Sequence, residues 1–158
     1  MIEIKKAGAS QAGTIKKIMH EAFEEYNRFD PPSGAMKETE ESISHSLTEE
    51  REWAAVLYEN GSPLGMVRVK EEETRLYFMR LSVVPEARGR GYAKALIDWV
   101  ETEAENAGKS EVYCKVRCTT EDNIRRYEKL GYEVYHTLTV TRLGTPFDIV
   151  AMSKPITM

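Results

Sequence analysis

Two arginines alternate with two glycines in Arg88-Gly89-Arg90-Gly91. The run follows the apolar stretch Leu81-Ser82-Val83-Val84-Pro85 and precedes a helical pattern that opens at Tyr92 and Ala93. Strand, glycine turn and helix in that succession direct free backbone N–H groups toward an anion. Glycines at 89 and 91 let a ligand approach the backbone without a Cβ in the way, and small Ala93 extends that clearance into the first helical turn. The helix dipole and the two guanidinium groups add positive potential, which suits a pyrophosphate better than a single carboxylate. The turn is not a Walker A loop, which ends in Gly-Lys-Ser/Thr. It is not a dinucleotide fingerprint either, because Lys94 stands where the third glycine belongs. Taken alone, it reads equally well as a helix start whose glycines merely permit the turn.

The elements that must position this turn follow from hydrophobic period and breakers. Ile2 to Lys5 predicts a first strand. Ser10 is a candidate cap for a helix whose apolar positions Ile15, Ile18, Met19, Ala22, Phe23 and Tyr26 step by three and four. Asp30-Pro31-Pro32-Ser33-Gly34 breaks that helix, and a second runs from Lys37 to Leu47 with Ile43 and Leu47 inward. From Trp53 the period becomes two: Trp53–Tyr58 and Leu64–Lys70 are strands joined at Asn60-Gly61, a strong hairpin signal. Glu71-Glu72-Glu73-Thr74 reads as a solvated turn before a strand from Leu76 to Val84. Ala93, Leu96, Ile97, Val100 and Ala104 mark a helix ended by Ala107-Gly108. A strand from Glu111 to Val116, a helix from Asp122 to Leu130 ending at Gly131, and strands Tyr132–Thr141 and Phe147–Met152, joined through Leu143-Gly144-Thr145-Pro146, complete the chain. The order is β-α-α-β-β-β-α-β-α-β-β, which is one mixed α/β domain spanning residues 1–158.

Composition narrows the function. The 158 residues are 41% hydrophobic and 30% charged, with a net charge of −4. That is an ordinary globular balance with no global basic footprint, which argues against a nucleic-acid partner. An RNA-binding role for Arg88, Arg90, Arg125 and Arg126 is disfavoured on the same ground. No apolar run approaches the roughly 20 residues that span a bilayer. Met1-Ile2-Glu3-Ile4-Lys5-Lys6 alternates like a strand, unlike a signal peptide, so no membrane partner is expected and a cytoplasmic protein is the default. Cys114 and Cys118, on an extended strand, would stand about 13 Å apart, beyond the ~7 Å a disulfide allows, unless the strand ends between them. No histidine lies close enough in sequence to complete a zinc pattern, so free thiols and no metal are expected.

Val83-x-Pro85-x-x-Arg88-Gly89-Arg90-Gly91-Tyr92-Ala93 resembles the acyl-CoA signature of the GNAT superfamily of N-acyltransferases, whose core is Arg/Gln-x-x-Gly-x-Gly/Ala. Arg88, Gly91 and Ala93 fill its specified positions. Asn123-Ile124-Arg125-Arg126-Tyr127-Glu128-Lys129-Leu130-Gly131-Tyr132 resembles the family's second signature, Ala-x-x-x-Tyr-Glu-Lys-Leu-Gly-Phe, at the right distance. The family often places an asparagine seven residues before that tyrosine and an alanine three after the asparagine. Here those positions hold Thr120 and Asn123.

The resemblance implies a single GNAT-like domain with a central, mostly antiparallel sheet of about seven strands and four helices. It implies acetyl transfer from acetyl-CoA to an amine without a covalent enzyme intermediate. Leu81, Ser82 and Val83 would lie along the pantetheine arm, and Arg88, Gly89, Arg90, Gly91, Tyr92 and Ala93 would seat the pyrophosphate. A backbone N–H near Leu81 or Ser82 would polarise the thioester carbonyl. Asn123 is carried as a weaker cofactor contact. Tyr127 is the candidate general acid, because a phenol at about 10 returns a proton to a departing thiolate near 8.5 with little mismatch. A base must accept the amine's proton; Glu24, Glu25, Glu72 and Glu73 are candidates, while His20 and His45 read as bystanders. The acceptor would be a small-molecule or peptide amine, met by residues 26–36 and 141–147 with Phe23, Tyr26 and Phe29 as an apolar wall. The acidic net charge inclines toward a cationic amine or polyamine. A non-catalytic acyl-CoA sensor on the same fold is the alternative. A homodimer through the closing strands is compatible with the pattern.

Overall fold

Most of the stripe read in the first helix lands on the core: Ile15, Ile18, Met19 and Ala22 are buried along α1 (Ala12–Phe23), Phe23 is partly buried, and Ala12 joins them. The computed structural model describes residues 1–24, 34–49, 51–118 and 121–156. Around α1 stand β1 (Ile2–Ala7), α2 (Glu40–Glu49), β2 (Glu52–Glu59), β3 (Ser62–Glu71), β4 (Arg75–Val83), α3 (Tyr92–Asn106), β5 (Glu111–Arg117), α4 (Glu121–Lys129), β6 (Glu133–Arg142) and β7 (Thr145–Pro155). The seven strands form one sheet in the order β1-β2-β3-β4-β5-β7-β6, and every pair is antiparallel except β4–β5. This is the expected class and element order, with most strand ends extended by one to three residues, β4 ending one residue early and β6 starting one late.

Local chemistry differs from expectation at several points. Ser10 does not cap α1. It sits inside a 3-10 turn, Ala9–Gln11, where the Gly8 N–H donates to Gln11 Oε1 at 3.1 Å. The second helix starts three residues late because residues 34–37 form a separate 3-10 turn, and Thr39 and Ser42 cap each other's backbone at 2.9 and 3.0 Å. Both tight hairpins use paired left-handed residues, Asn60 and Gly61 (φ 50° and 87°) and Leu143 and Gly144 (φ 53° and 78°). Such turns match the twist of the strands they join. Tyr132 was expected to open the closing strand but lies before it, 1% exposed, with its hydroxyl donating to Glu101 at 2.8 Å.

Side chains along a strand alternate between the two faces of the sheet. Trp53, Val69 and Phe78 are register partners in series. Trp53 meets Trp99 of α3 at 5.6 Å, and Phe78 meets Tyr127 of α4 at 5.8 Å, so these helices cover one face. Arg68 points to the other face. There it donates to Glu52 and Glu38 at 2.7 Å each, and Glu38 lies on the segment leading into α2.

Two irregularities in β4 shape the functional region. Met66 pairs with Ser82 but Arg68 pairs with Met79, so β4 carries one residue more than β3 across this stretch. Arg80 and Leu81 both face Val67, and Arg80 takes φ 56°. The bulge reverses the pleat, so that Ser82 shares the face of Arg68. Next, β4 and β5 pair only through Arg75–Glu111, Leu76–Val112 and Tyr77–Tyr113. Beyond those rungs β4 follows β3 to Val83 while β5 follows β7 to Arg117. The sheet therefore forks, with residues 78–83 along one side of the opening.

Candidate active site

The base of the fork is clamped by aromatic and charged side chains. Tyr77 and Tyr113 stack at 4.8 Å, and the Arg75 guanidinium lies 3.9 Å over the Tyr113 ring. Glu71-Glu72-Glu73, expected as a plain solvated turn, is part of this clamp. Glu72 accepts from Tyr113 at 2.6 Å and from Arg75 at 2.8 Å, and buried Lys109 binds the carbonyls of Glu72 and Glu73. Burial alone would raise the Glu72 carboxyl; the Tyr113 and Arg75 hydrogen bonds outweigh it and hold it below its ordinary value. A carboxylate held that way is a weak base. Tyr113 is pushed well above the ordinary phenol value by burial and by its bond to Glu72.

Along the open side of the fork lie Leu81, Ser82 and Val83, half-buried, buried and half-buried. Ser82 Oγ donates to the Arg80 carbonyl at 2.7 Å, which holds the bulge closed. A strand whose neighbour has parted from it offers backbone donors and acceptors toward the gap. An extended, amide-bearing ligand would supply matching groups there.

The glycine turn stands at the end of β4. A 3-10 turn at Pro85–Ala87 leads to Gly89 and Gly91, with φ 82° and 78°, and Gly91 is the N-cap of α3. No side chain caps this helix start, and a Cβ built at either glycine meets nothing within 4 Å. Glycine is therefore required by the left-handed backbone while the space above it stays open, which is the arrangement an anion on the first N–H groups needs. The arginines, expected as mobile positive charge, are engaged with the protein. Arg88 donates to the Val83 carbonyl at 3.3 Å and to Ala22 at the end of α1 at 2.9 Å. Arg90 donates to Glu59 at 3.1 Å and to the Glu86 carbonyl at 3.4 Å. Tyr92 is buried, and its hydroxyl donates to the same Glu59 carboxylate, while Ala93 is half-buried in the helix's first turn. Glu59 thus fastens both sides of the turn to the end of β2. No sequence pattern flagged it.

Across the fork, Tyr127 is half-buried on α4. Its ring stands edge-on to Phe78 at 5.8 Å and to Tyr132 at 6.2 Å. Phe78 is the first β4 residue past the last rung shared with β5, so Tyr127 is seated at the opening itself. Tyr132 is locked in turn by Glu101, which also takes Lys154 at 3.0 Å. Asn123 lies one turn before Tyr127, and its Oδ1 accepts from Arg126 at 3.3 Å. Thr120, Glu25, Tyr26, Phe29 and most of the expected acceptor loop lie outside the described residues.

Glu24 and the two histidines lie on or at the end of α1 and α2. Glu24 is exposed at the end of α1. His20 Nε2 is 3.0 Å from the Glu38 carbonyl, and His45 lines a surface groove with Ala9, Ala12 and Glu41. Cys114 and Cys118 are free, as expected, and burial pushes the Cys114 thiol up to about 12. Among the described residues no cluster of His, Cys, Asp and Glu could hold a metal ion, and no helix is long and apolar enough to cross a membrane.

Comparison with known proteins agrees with this geometry. An "Acetyltransferase" from Yersinia pestis (strain Pestoides F) is 33% identical over 99 residues, covering 63% of this chain and 70% of that one. The ribosomal-protein-S18-alanine N-acetyltransferase from Escherichia coli superposes with a TM-score of 0.81 at 20% identity, over 100% of this chain and 96% of its own. A putative acetyltransferase from Salmonella typhimurium, solved with its cofactor acetyl-CoA, gives 0.77 at 16% identity over 99% and 94%. The family model for the Acetyltransferase (GNAT) family matches residues 16–132, a span that includes most of α1, the β4–β5 fork, the glycine turn and Tyr127, and the chain belongs to that family.

Proposed function

We propose that the protein is an N-acetyltransferase that moves the acetyl group of acetyl-CoA to a primary amine of a small molecule or peptide, by direct attack with both partners bound. The observation that carries this reading is the fork in β4 with an uncapped, left-handed glycine turn at one end and Tyr127 at its opening. The cosubstrate supplies a thioester, and the protein supplies position, polarisation and a proton. Backbone of residues 81–83 aligns the pantetheine amides, and N–H groups from Arg88 to Ala93 hold the pyrophosphate. A backbone N–H at Leu81 or Ser82, beside the bulge, donates to the thioester oxygen where charge develops. The amine nitrogen forms the new C–N bond as the C–S bond breaks. Tyr127 Oη gives its proton to the leaving sulfur, and the amine's surplus proton passes to solvent. Asn123, facing the same way one turn earlier, adds a polar contact to the arm. The domain runs the length of the chain and works in the cytoplasm. Exposed Val134 and Tyr135 on edge strand β6 are where a second copy would pair.

Replacing Tyr127 with Phe tests this reading, because it keeps the ring against Phe78 and removes the proton. Release of free CoA in the presence of a good amine should slow by about 100-fold, the lower end of what a positioned acid contributes. A variant as fast as the parent would remove Tyr127 from the chemistry. Tight acetyl-CoA binding by the parent with no release would favour the non-catalytic sensor.

A further inference from the structure

Local charge beside the fork points to an acceptor unlike the one net charge suggests. The face that carries Arg68 continues from β4 onto β5, β7 and β6. Tyr77, Tyr113, Lys115 and Arg117 share that side by alternation and register, and Arg117 pairs with Ile149. Phe147 and its partner Val140 lie two residues from Ile149 and Leu138, so they and Arg142 face the same way. Geometry agrees. The Arg117 guanidinium carbon is 4.2 Å from the Phe147 ring centre, and that of Arg142 is 5.1 Å from the same ring. Arg80, at the bulge next to Leu81 and Ser82, is held on this face by a 2.9 Å bond to Glu38, whose other oxygen takes Arg68. The cations sense one another. Partial burial first, and then the charge of Arg142, holds Arg117 below its ordinary value, and burial followed by Arg80 does the same to Arg142. Arg117 and Arg142 lie against one ring and repel each other, and an anion placed between them is stabilised by both.

We propose that Arg117 and Arg142, set against Phe147 with Arg80 on the same face, receive an anionic oxygen group, carboxylate or phosphate, carried by the acceptor amine. The substrate is then an acid-bearing amine, and a polyamine is repelled. A guanidinium group suits two-point contact with either group. The proposal rests on the N-acetyltransferase reading and names the substrate class for it.

The test measures CoA release with acetyl-CoA and four acceptors: an ω-amino acid, its primary amide, the phosphate ester of an amino alcohol, and spermidine. One or both acid-bearing amines should exceed the amide in kcat/KM by about 10- to 100-fold, the range of one charge-assisted contact, with the difference in KM. Which acid wins separates carboxylate from phosphate. Arg142→Gln and Arg117→Gln, checked for unchanged melting, should each erase most of that gap, and Arg142→Lys should restore part of it. Equal rates for acid and amide, or spermidine as the best acceptor, would overturn this proposal alone. No release with any of the four would overturn the N-acetyltransferase reading along with it.

Discussion

Gly91→Ala separates a cofactor seat from mere turn architecture. Gly91 has φ 78°, and an alanine Cβ there meets no protein atom within 4 Å. The folded protein therefore pays only for the left-handed backbone, about 1–2 kcal/mol. For a chain of this length that lowers Tm by roughly 2–8 °C. The new methyl occupies the open space above the first N–H groups of α3, the proposed seat of the pyrophosphate. Gly61 provides a matched control: φ 87°, again nothing within 4 Å of a built Cβ, but at the β2–β3 hairpin. Gly61→Ala should lose a similar amount of stability and keep its acetyl-CoA affinity. Gly91→Ala should weaken binding at least tenfold, which is 1.4 kcal/mol or more. Titration calorimetry on both variants, with melting curves alongside, measures the two effects separately. If Gly91→Ala binds acetyl-CoA as tightly as Gly61→Ala, the turn is only a turn.

Other consequences concern the framework. Arg68, 3% exposed at its side chain, answers both Glu52 and Glu38 at 2.7 Å, so Arg68→Ala leaves buried Glu52 uncompensated and Glu38 with Arg80 alone. About 3–5 kcal/mol of stability should vanish in urea unfolding, against a much smaller loss for Lys94→Ala at an exposed pair. Cys114 keeps its proton in the native state up to about pH 12, whereas in the unfolded chain it ionises near 8.5. Its contribution to stability is therefore complete below about pH 8.5 and declines as pH rises from there toward 12. At pH 8 a thiol reagent should label half-buried Cys118 first, and Cys114 only as the protein unfolds. Equal labelling of both thiols in the native protein would contradict the burial of Cys114.

Much of the fold was legible because its signals are local and repeated. Ile15, Ile18, Met19 and Ala22 form an unbroken stripe, Asn60-Gly61 can hardly be anything but a hairpin turn, and Gly89 and Gly91 take the positive φ that only glycine adopts cheaply. The open glycine turn proposed as the cofactor seat was readable for the same reason. What stayed hidden depends on residues distant in sequence. The bulge at Arg80 leaves no mark in the pattern Met79-Arg80-Leu81-Ser82, since an extra residue in one strand is defined only against its partner. Glu72 reads as solvent-facing until Tyr113 and Arg75 are brought to it, and Tyr132 reads as a strand residue until Glu101 supplies an acceptor for its buried hydroxyl. Arg88 and Arg90 look mobile in sequence, but Ala22, Val83, Glu59 and Glu86 hold them. Net charge is the least local of the signals. A surplus of acids over the whole chain says little about a face where Arg80, Arg117 and Arg142 gather.

The central claim is that the β4–β5 fork and the glycine turn form one acyl-CoA seat with Tyr127 at its opening. Hydrogen–deuterium exchange with and without saturating acetyl-CoA tests it most directly. The account predicts slower exchange of the amides along residues 78–83 and 88–93 when acetyl-CoA is bound, with the β1–β2 edge unchanged. Tight binding that protects neither segment, or protects a different part of the sheet, would contradict it.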